Sequence, residues 1–301
     1  MNVRTYASPE AFKKALEERL RKATTSGPAL NRRRQLLVFD RFLARVTAVF
    51  GDAVMLKGGL VLEIRLERAR ATKDVDLRMT GSSEELLTRL QEAGRTDLGD
   101  FMAFEVGPDP DHPEIQGDGV RYDGMRFRAT CSLADKIYGE SFGVDVAFGD
   151  PIHGESELIG TEDVLAFAGI APPRVRLYPV ETHIAEKLHA YTMPRSVVNS
   201  RVKDLPDIAL LATVRALEAR SLRAAIMQTF AFRATHPVPE RFPDPPAEWT
   251  ARYAAMAVRE QLAWPSIEAV TTAARVFLEP VLAGEREATW NPATSIWEGR
   301  S

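Results

Sequence analysis

Asp74 and Asp76 stand one residue apart in Asp74-Val-Asp-Leu-Arg-Met79, where polar and apolar side chains alternate as in a strand with one buried face. Residues i and i+2 of a strand project to the same side, so the two carboxylates leave together. Carboxylates so close repel unless a cation lies between them. Hard oxygen ligands select magnesium or manganese. Asp145, in Val144-Asp-Val146, falls within a later strand-like run and supplies a third acid. Three converging acids suit a two-metal site, with ions roughly 3.5–4 Å apart. One ion would lower the pKa of an attacking hydroxyl, and the other would steady a triphosphate and its departing pyrophosphate.

A glycine turn precedes the acids. Ala53-Val-Met-Leu-Lys57 is a short apolar run ending at Gly58-Gly59, and Leu60 to Leu66 resumes helical spacing. This predicts strand, tight turn, helix. Without β-carbons, the turn lets backbone N–H groups approach phosphate oxygens at a helix start whose dipole favours anions. A Gly-Gly pair and an Asp-x-Asp pair are each common. Their order, followed by a third acid, is what points to chemistry.

The surrounding patterns describe the scaffold. Ser8-Pro9-Glu10 opens a helix with a hydroxyl cap, and Phe12, Leu16 and Leu20 form its apolar face. A second helix is predicted over Asn31–Phe50, its Arg32-Arg33-Arg34 run being a solvated face. Ser82-Ser-Glu-Glu85 reads as a capping box opening a helix to about Ala93. Strand-like runs cover 101–106, 121–132 and 142–148, separated by loop signals such as Gly107 to Pro113 and Asp150-Pro151. Beyond Pro151 the spacing predicts helices over 161–168, 180–191, 205–217, 222–234, 247–262 and 267–283. The expected organisation is an α+β part over residues 1–160 and a helical part over 161–301.

Composition narrows the class. The chain has 301 residues, 45% hydrophobic and 27% charged, as in a globular protein. No run approaches the roughly 18–20 apolar residues that cross a bilayer. Met1-Asn-Val-Arg4 lacks the marks of a secretory signal. Cys131 is the only cysteine, which excludes an intrachain disulfide and a cysteine-rich zinc site. The expectation is a cytoplasmic protein without a membrane partner. A net charge of −3 argues against coating nucleic acid through bulk positive charge.

The ordered trio resembles the DNA polymerase β-like nucleotidyltransferase superfamily. Leu56-Lys-Gly-Gly59, Arg70-Ala-Thr-Lys-Asp-Val-Asp76, Val180-Glu-Thr-His-Ile-Ala-Glu-Lys-Leu-His-Ala190 and Arg201-Val-Lys-Asp-Leu-Pro-Asp207 narrow the resemblance to the AbiEii/AbiGii toxin family, over roughly residues 35 to 215. The resemblance implies a polymerase β-like mixed sheet flanked by helices, then a helical C-terminal domain that contributes to the cleft. It matches Gly58 and Gly59 to the phosphate turn, Asp74 and Asp76 to the metal-binding pair, and Asp145 to the third acid. It matches Lys187 to a lysine serving the triphosphate and Asp204 to an essential acid, with Asp207 the near alternative. Leu60 stands where relatives often carry a hydroxyl residue, and Pro206 interrupts what is commonly Lys-Asp-aromatic-Asp. Lys57 and Lys73 are further candidates for phosphate contacts.

What the resemblance implies in function is transfer of a nucleoside monophosphate from an NTP to the 3′ end of tRNA, with Mg2+ or Mn2+ as cofactor. It also implies a cognate antitoxin protein. The same motifs suit nucleotidylation of a protein hydroxyl, and a non-catalytic nucleotide-binding regulator acting through its antitoxin is a third reading. Arg195, Arg201, Arg215, Arg220 and Arg223 are candidates for a local RNA face. Thr72 lies where a phosphate would add negative charge beside the triphosphate. His183 and His189 read as ordinary helix residues, Cys131 as a buried strand residue, and Trp249, Tyr253, Trp264 and Trp290 as packing residues.

Overall fold

The computed structural model describes residues 5–66, 71–112, 114–117, 120–149, 151–195, 199, 201–285 and 287–299. Met1–Arg4, Arg70, Pro113 and Asp150, on which parts of the sequence reading fell, lie outside them.

Two serine-capped helices open the chain. In α1 (Pro9–Lys22) and α2 (Gly27–Phe50), the Ser8 and Ser26 hydroxyls accept from the backbone N–H groups of Ala11 and Ala29. Helix α2 starts four residues before the predicted Asn31, because Ser26-Gly-Pro28 supplies both the cap and a first-turn proline. Strand β1 (Val54–Lys57), helix α3 (Gly58–Arg65) and strand β2 (Val75–Met79) follow. Helix α4 (Leu86–Arg95) begins after, not within, the predicted capping box. The Ser82 hydroxyl accepts from the Glu84 N–H two residues on, and Glu85 takes a left-handed conformation, so the box folds as a turn.

Strands β3 (Met102–Pro108), β4 (Glu114–Gly117), β5 (Val120–Leu133), β6 (Lys136–Ile137) and β7 (Phe142–Phe148) come next. Strands β8 (Glu157–Gly160) and β9 (Arg174–Leu177) lie where a helix over 161–168 was expected to begin a helical region. Only one 3₁₀ turn, Ala166–Ala168, forms between them. The helical spacing there reflects Val164, Leu165 and Phe167 reaching the sheet's core from a loop. The sheet order is β3-β5-β7-β2-β1-β9-β8, with β4 and β6 pairing on β5. The β2–β7 and β1–β9 pairs are parallel and the other pairings antiparallel, so the sheet is mixed and flanked by helices.

The rest is mainly helical: α5 (Val180–Thr192), α6 (Asp204–Leu211), α7 (Ala219–Arg233), α8 (Trp249–Arg259) and α9 (Ile267–Ala283). Helix α6 stops at Leu211, short of the predicted 217, because Leu217 joins β10 (Leu217–Glu218). That strand pairs with β11 (Ala288–Asn291), which pairs with β12 (Ile296–Gly299), a small sheet the sequence reading did not anticipate. Apolar side chains form two clusters. One lies about the large sheet and includes Phe39, Phe42, Phe104 and Phe142. The other lies among the later helices and includes Leu188, Ile208, Trp249 and Phe277.

Candidate nucleotidyl-transfer site

Adjacent strands bring three sequence-predicted residues side by side. In the register, Lys57 on β1 faces Asp76 on β2, and Asp76 faces Asp145 on β7. Burial of Val75, Leu77 and Met79 on the opposite face of β2 fixes that register, since a one-residue slip would turn them out to solvent. Asp74 sits one residue ahead of β2 rather than within it. It is exposed, and its Oδ1 accepts from the Gly143 N–H at 3.3 Å.

Two glycines make room for these acids. Gly58 has φ +69°, and a β-carbon there would lie 1.9 Å from Asp76 Oδ2. Only glycine admits both the backbone conformation and the carboxylate. Gly143 does the same for Asp74, since its β-carbon would meet Asp74 Oδ1 at 2.7 Å. The Gly-Gly turn was legible in the sequence. Gly143 was not, because nothing local ties a strand glycine to an aspartate 69 residues earlier.

The acids crowd negative charge together. Burial pushes the Asp76 carboxyl up to about 6, and the negative charges of Asp145 and Asp74 add to it against the pull of Lys57 and Lys187. Arg126 on β5, the register partner of Asp145, meets that carboxylate with both ends of its fork, Nε to Oδ1 at 2.7 Å and Nη2 to Oδ2 at 2.7 Å. This arginine escaped the sequence reading because its partner lies across a strand pair. As the side chains stand, no three acid or imidazole groups among the described residues converge at metal-ligating distance. The donors nevertheless fit a hard divalent cation: they are all carboxylates, and two neighbouring acids add to burial in raising Asp76.

Residues 41–273 match the family of the nucleotidyl transferase AbiEii toxin of type IV toxin–antitoxin systems. The chain belongs to this family. Among solved structures, it is similar to MenT4, a nucleotidyltransferase toxin from Mycobacterium tuberculosis, with 17% identity over 87% of this chain and 99% of that one, at a TM-score of 0.46. JHP933 from Helicobacter pylori is similar at 16% identity over 70% of this chain and 82% of that one, at a TM-score of 0.39. No curated protein matches the chain.

The family's remaining motif residues sit on α5 and α6. Lys187 Nζ donates to Asp207 Oδ2 at 2.7 Å and stands 3.5 Å from Asp204 Oδ1. Asp204 in turn accepts from Arg201 Nε at 2.7 Å. Both aspartates are buried, so both ring Lys187. Lys57 is held by Glu186 at 3.0 Å and lies 5.2 Å above the Tyr178 ring. The Tyr178 hydroxyl donates to Glu186 at 2.8 Å. Burial opposes ionisation of Glu186, yet Lys57, Arg233 and Tyr178 draw its carboxyl down to about 2. Neither Glu186 nor Tyr178 had been singled out; both are recognisable only once β9 places Tyr178 beside β1, its N–H bonded to the Leu56 carbonyl. Lys73 is exposed.

Other candidates have plainer places. His183 and His189 are buried, each with its imidazole pushed down to about 3 mainly by burial. Burial pushes the Cys131 thiol up to about 12. Trp249 and Tyr253 are core residues, bonded to the Asn199 and Trp264 carbonyls. Thr72 is buried, with its hydroxyl donating to the Asp74 carbonyl. Of the proposed RNA-facing arginines, Arg201 pairs with Asp204, Arg215 with Glu181, and Arg223 with carbonyls at the end of α9. Among the described residues no helix is long and apolar enough to cross a membrane.

Proposed function

We propose that this nucleotidyltransferase toxin transfers a nucleoside monophosphate from an NTP to the 3′-terminal hydroxyl of an RNA, with tRNA as the acceptor, and so blocks translation. The observation that carries the reading is the side-by-side register of Lys57, Asp76 and Asp145, with Gly58 pressed against Asp76. The reading takes Mg2+ or Mn2+ as cofactor, a cognate antitoxin protein as partner and the cytoplasm as the place of action.

In this mechanism Asp74, Asp76 and Asp145 would hold the divalent cation, which would supply charge neutralisation at the phosphates and lower the pKa of the acceptor hydroxyl. The glycine turn at Gly58-Gly59 sets backbone N–H groups and the start of α3 toward the triphosphate. Lys187, oriented by Asp207 and Asp204, offers its ammonium to the phosphate oxygens, with Lys57 and Lys73 nearby. The acceptor oxygen bonds to the α-phosphorus. The bond from that phosphorus to the oxygen bridging to the β-phosphate breaks, and pyrophosphate leaves with the electron pair. The hydroxyl proton passes to an Asp145 carboxylate oxygen.

The test is transfer of label from each α-labelled NTP to total tRNA with magnesium, comparing wild type with Asp74→Ala/Asp76→Ala. Label on tRNA that the variant loses supports the reading. Label on protein instead, or NTP binding without pyrophosphate release, would sink it.

A further inference from the structure

Arg126 and Arg128 lie two residues apart on β5, so their side chains leave the sheet on one side. A cleft of about 540 Å³ opens there, lined by both arginines, by Asp74 and Asp145, and by Asp109, Asp111 and His112 from the loop after β3. We propose that this cleft takes the phosphodiester backbone of a single-stranded RNA acceptor, with Arg126 and Arg128 as its phosphate contacts. The inference rests on the reading of RNA as acceptor given above.

Position is the first argument. Arg126 is the register partner of Asp145, the acid assigned to the acceptor hydroxyl. A strand whose terminal hydroxyl reaches Asp145 must carry its neighbouring phosphates past β5. Guanidinium forks match phosphate oxygens two at a time, which a lysine cannot do. Arg201, Arg215 and Arg223 do not line this cleft.

Charge is the second argument, and it makes the grip conditional. Four carboxylates face two guanidiniums and one imidazole, so the cleft as it stands repels phosphate. Both guanidiniums are also committed, Arg126 to the two oxygens of Asp145 and Arg128 to Asp109 Oδ2 at 3.0 Å. The commitments differ in strength. Asp109 already accepts from the backbone N–H groups of Asp111 and His112, and the Arg128 side chain is 48% exposed, so that pair opens readily. Arg126 is held bidentately, and a divalent cation held by Asp145 would compete with it. Such a cation would offset negative charge in the cleft and free the fork. Cation and RNA therefore favour each other's binding, and the coupling is reciprocal.

Fluorescence anisotropy with a short fluorescein-labelled single-stranded RNA, without NTP, tests this in EDTA and in magnesium across a range of potassium chloride. Wild type should bind about tenfold more tightly with magnesium. Arg126→Ala should lose that gain. Arg128→Ala, at an exposed position that spares the fold, should weaken binding about fivefold for any RNA sequence and lower the salt slope by about 0.7. Its NTP affinity by calorimetry should stay at the wild-type value. Asp145→Asn, which frees Arg126 without a cation, should bind in EDTA about as well as wild type does in magnesium. Wild-type affinity and salt slope in both arginine variants would overturn the grip. If wild type still labels RNA in that case, the grip alone fails. If wild type binds no RNA and labels protein, the RNA acceptor and the grip fail together.

Discussion

Asp100 and Asp76 are acids of the same N-terminal sheet region, and their protonation is driven in opposite directions. Burial alone would raise Asp100, yet Arg45 and Arg41 hold its carboxyl below the usual range. It receives Arg45 at 2.9 and 2.6 Å, Arg41 at 2.7 Å and the Met102 N–H at 3.0 Å. Asp76 is raised to about 6 by burial and by its neighbouring acids. The difference separates two uses of a sunken carboxylate. Where the acid belongs to the architecture, the fold supplies every partner, and the charge ties α2 to the start of β3. Where it belongs to the candidate site, burial and neighbouring acids leave the charged form disfavoured.

The comparison can be broken by substitution. Asp100→Ala leaves Arg41 and Arg45 buried without their anion and should cost about 3–5 kcal/mol, read as a lowered urea midpoint, while folded protein still binds NTP. If it costs no more than replacing Asp76, the contrast fails. Gly58→Ala should lower the transfer rate at least ~100-fold, because it drives a β-carbon onto the Asp76 carboxylate and displaces the site by an ångström or more. Single-turnover rates with tRNA and NTP would show it.

Asp76→Asn sharpens the comparison through pH. A folded-state pKa raised above the unfolded value means the folded chain binds the extra proton first. The metal-free protein therefore gains stability as pH falls through about 6 toward 4, and carries the full penalty above that window. Asparagine removes the penalty, so the variant should be about 1–2 kcal/mol more stable than metal-free wild type at pH 8, with the gain vanishing near pH 4. Magnesium should stabilise wild type and leave the variant's melting temperature nearly unmoved. Gly143→Ala is the mildest test. Its β-carbon meets only the end of the Asp74 side chain, which can shift, so about a fivefold loss of rate with unchanged urea stability is expected.

Much of this was legible because it is local. The capping Ser8, the alternation of β2 and the glycine turn are written in neighbouring residues, and the structure has strand β7 over Phe142–Phe148 as read. Family motifs marked Lys187 and Asp204, and the structure sets Lys187 against both Asp204 and Asp207. The parts that escaped depend on partners far along the chain. Arg126 matters through a strand-to-strand pairing, Gly143 through a carboxylate it must admit, and Glu186 through Lys57 on another element. Strands β10 to β12 are two to four residues long, too short to show a period. Ser82 misled because its hydroxyl found a nearer N–H than a helix would have given it.

Strand β9 has a consequence for how the molecule is made. It starts 120 residues after β1 does, yet it covers the flank of β1 and hands on to α5, which bears Lys187. A ribosome delivers the acids first, on a sheet in which β1 is still an open edge, and Lys187 only later. For a nucleotidyltransferase toxin, that order means the residues gathered around β1 and α5 come together only when the later part of the chain has been made.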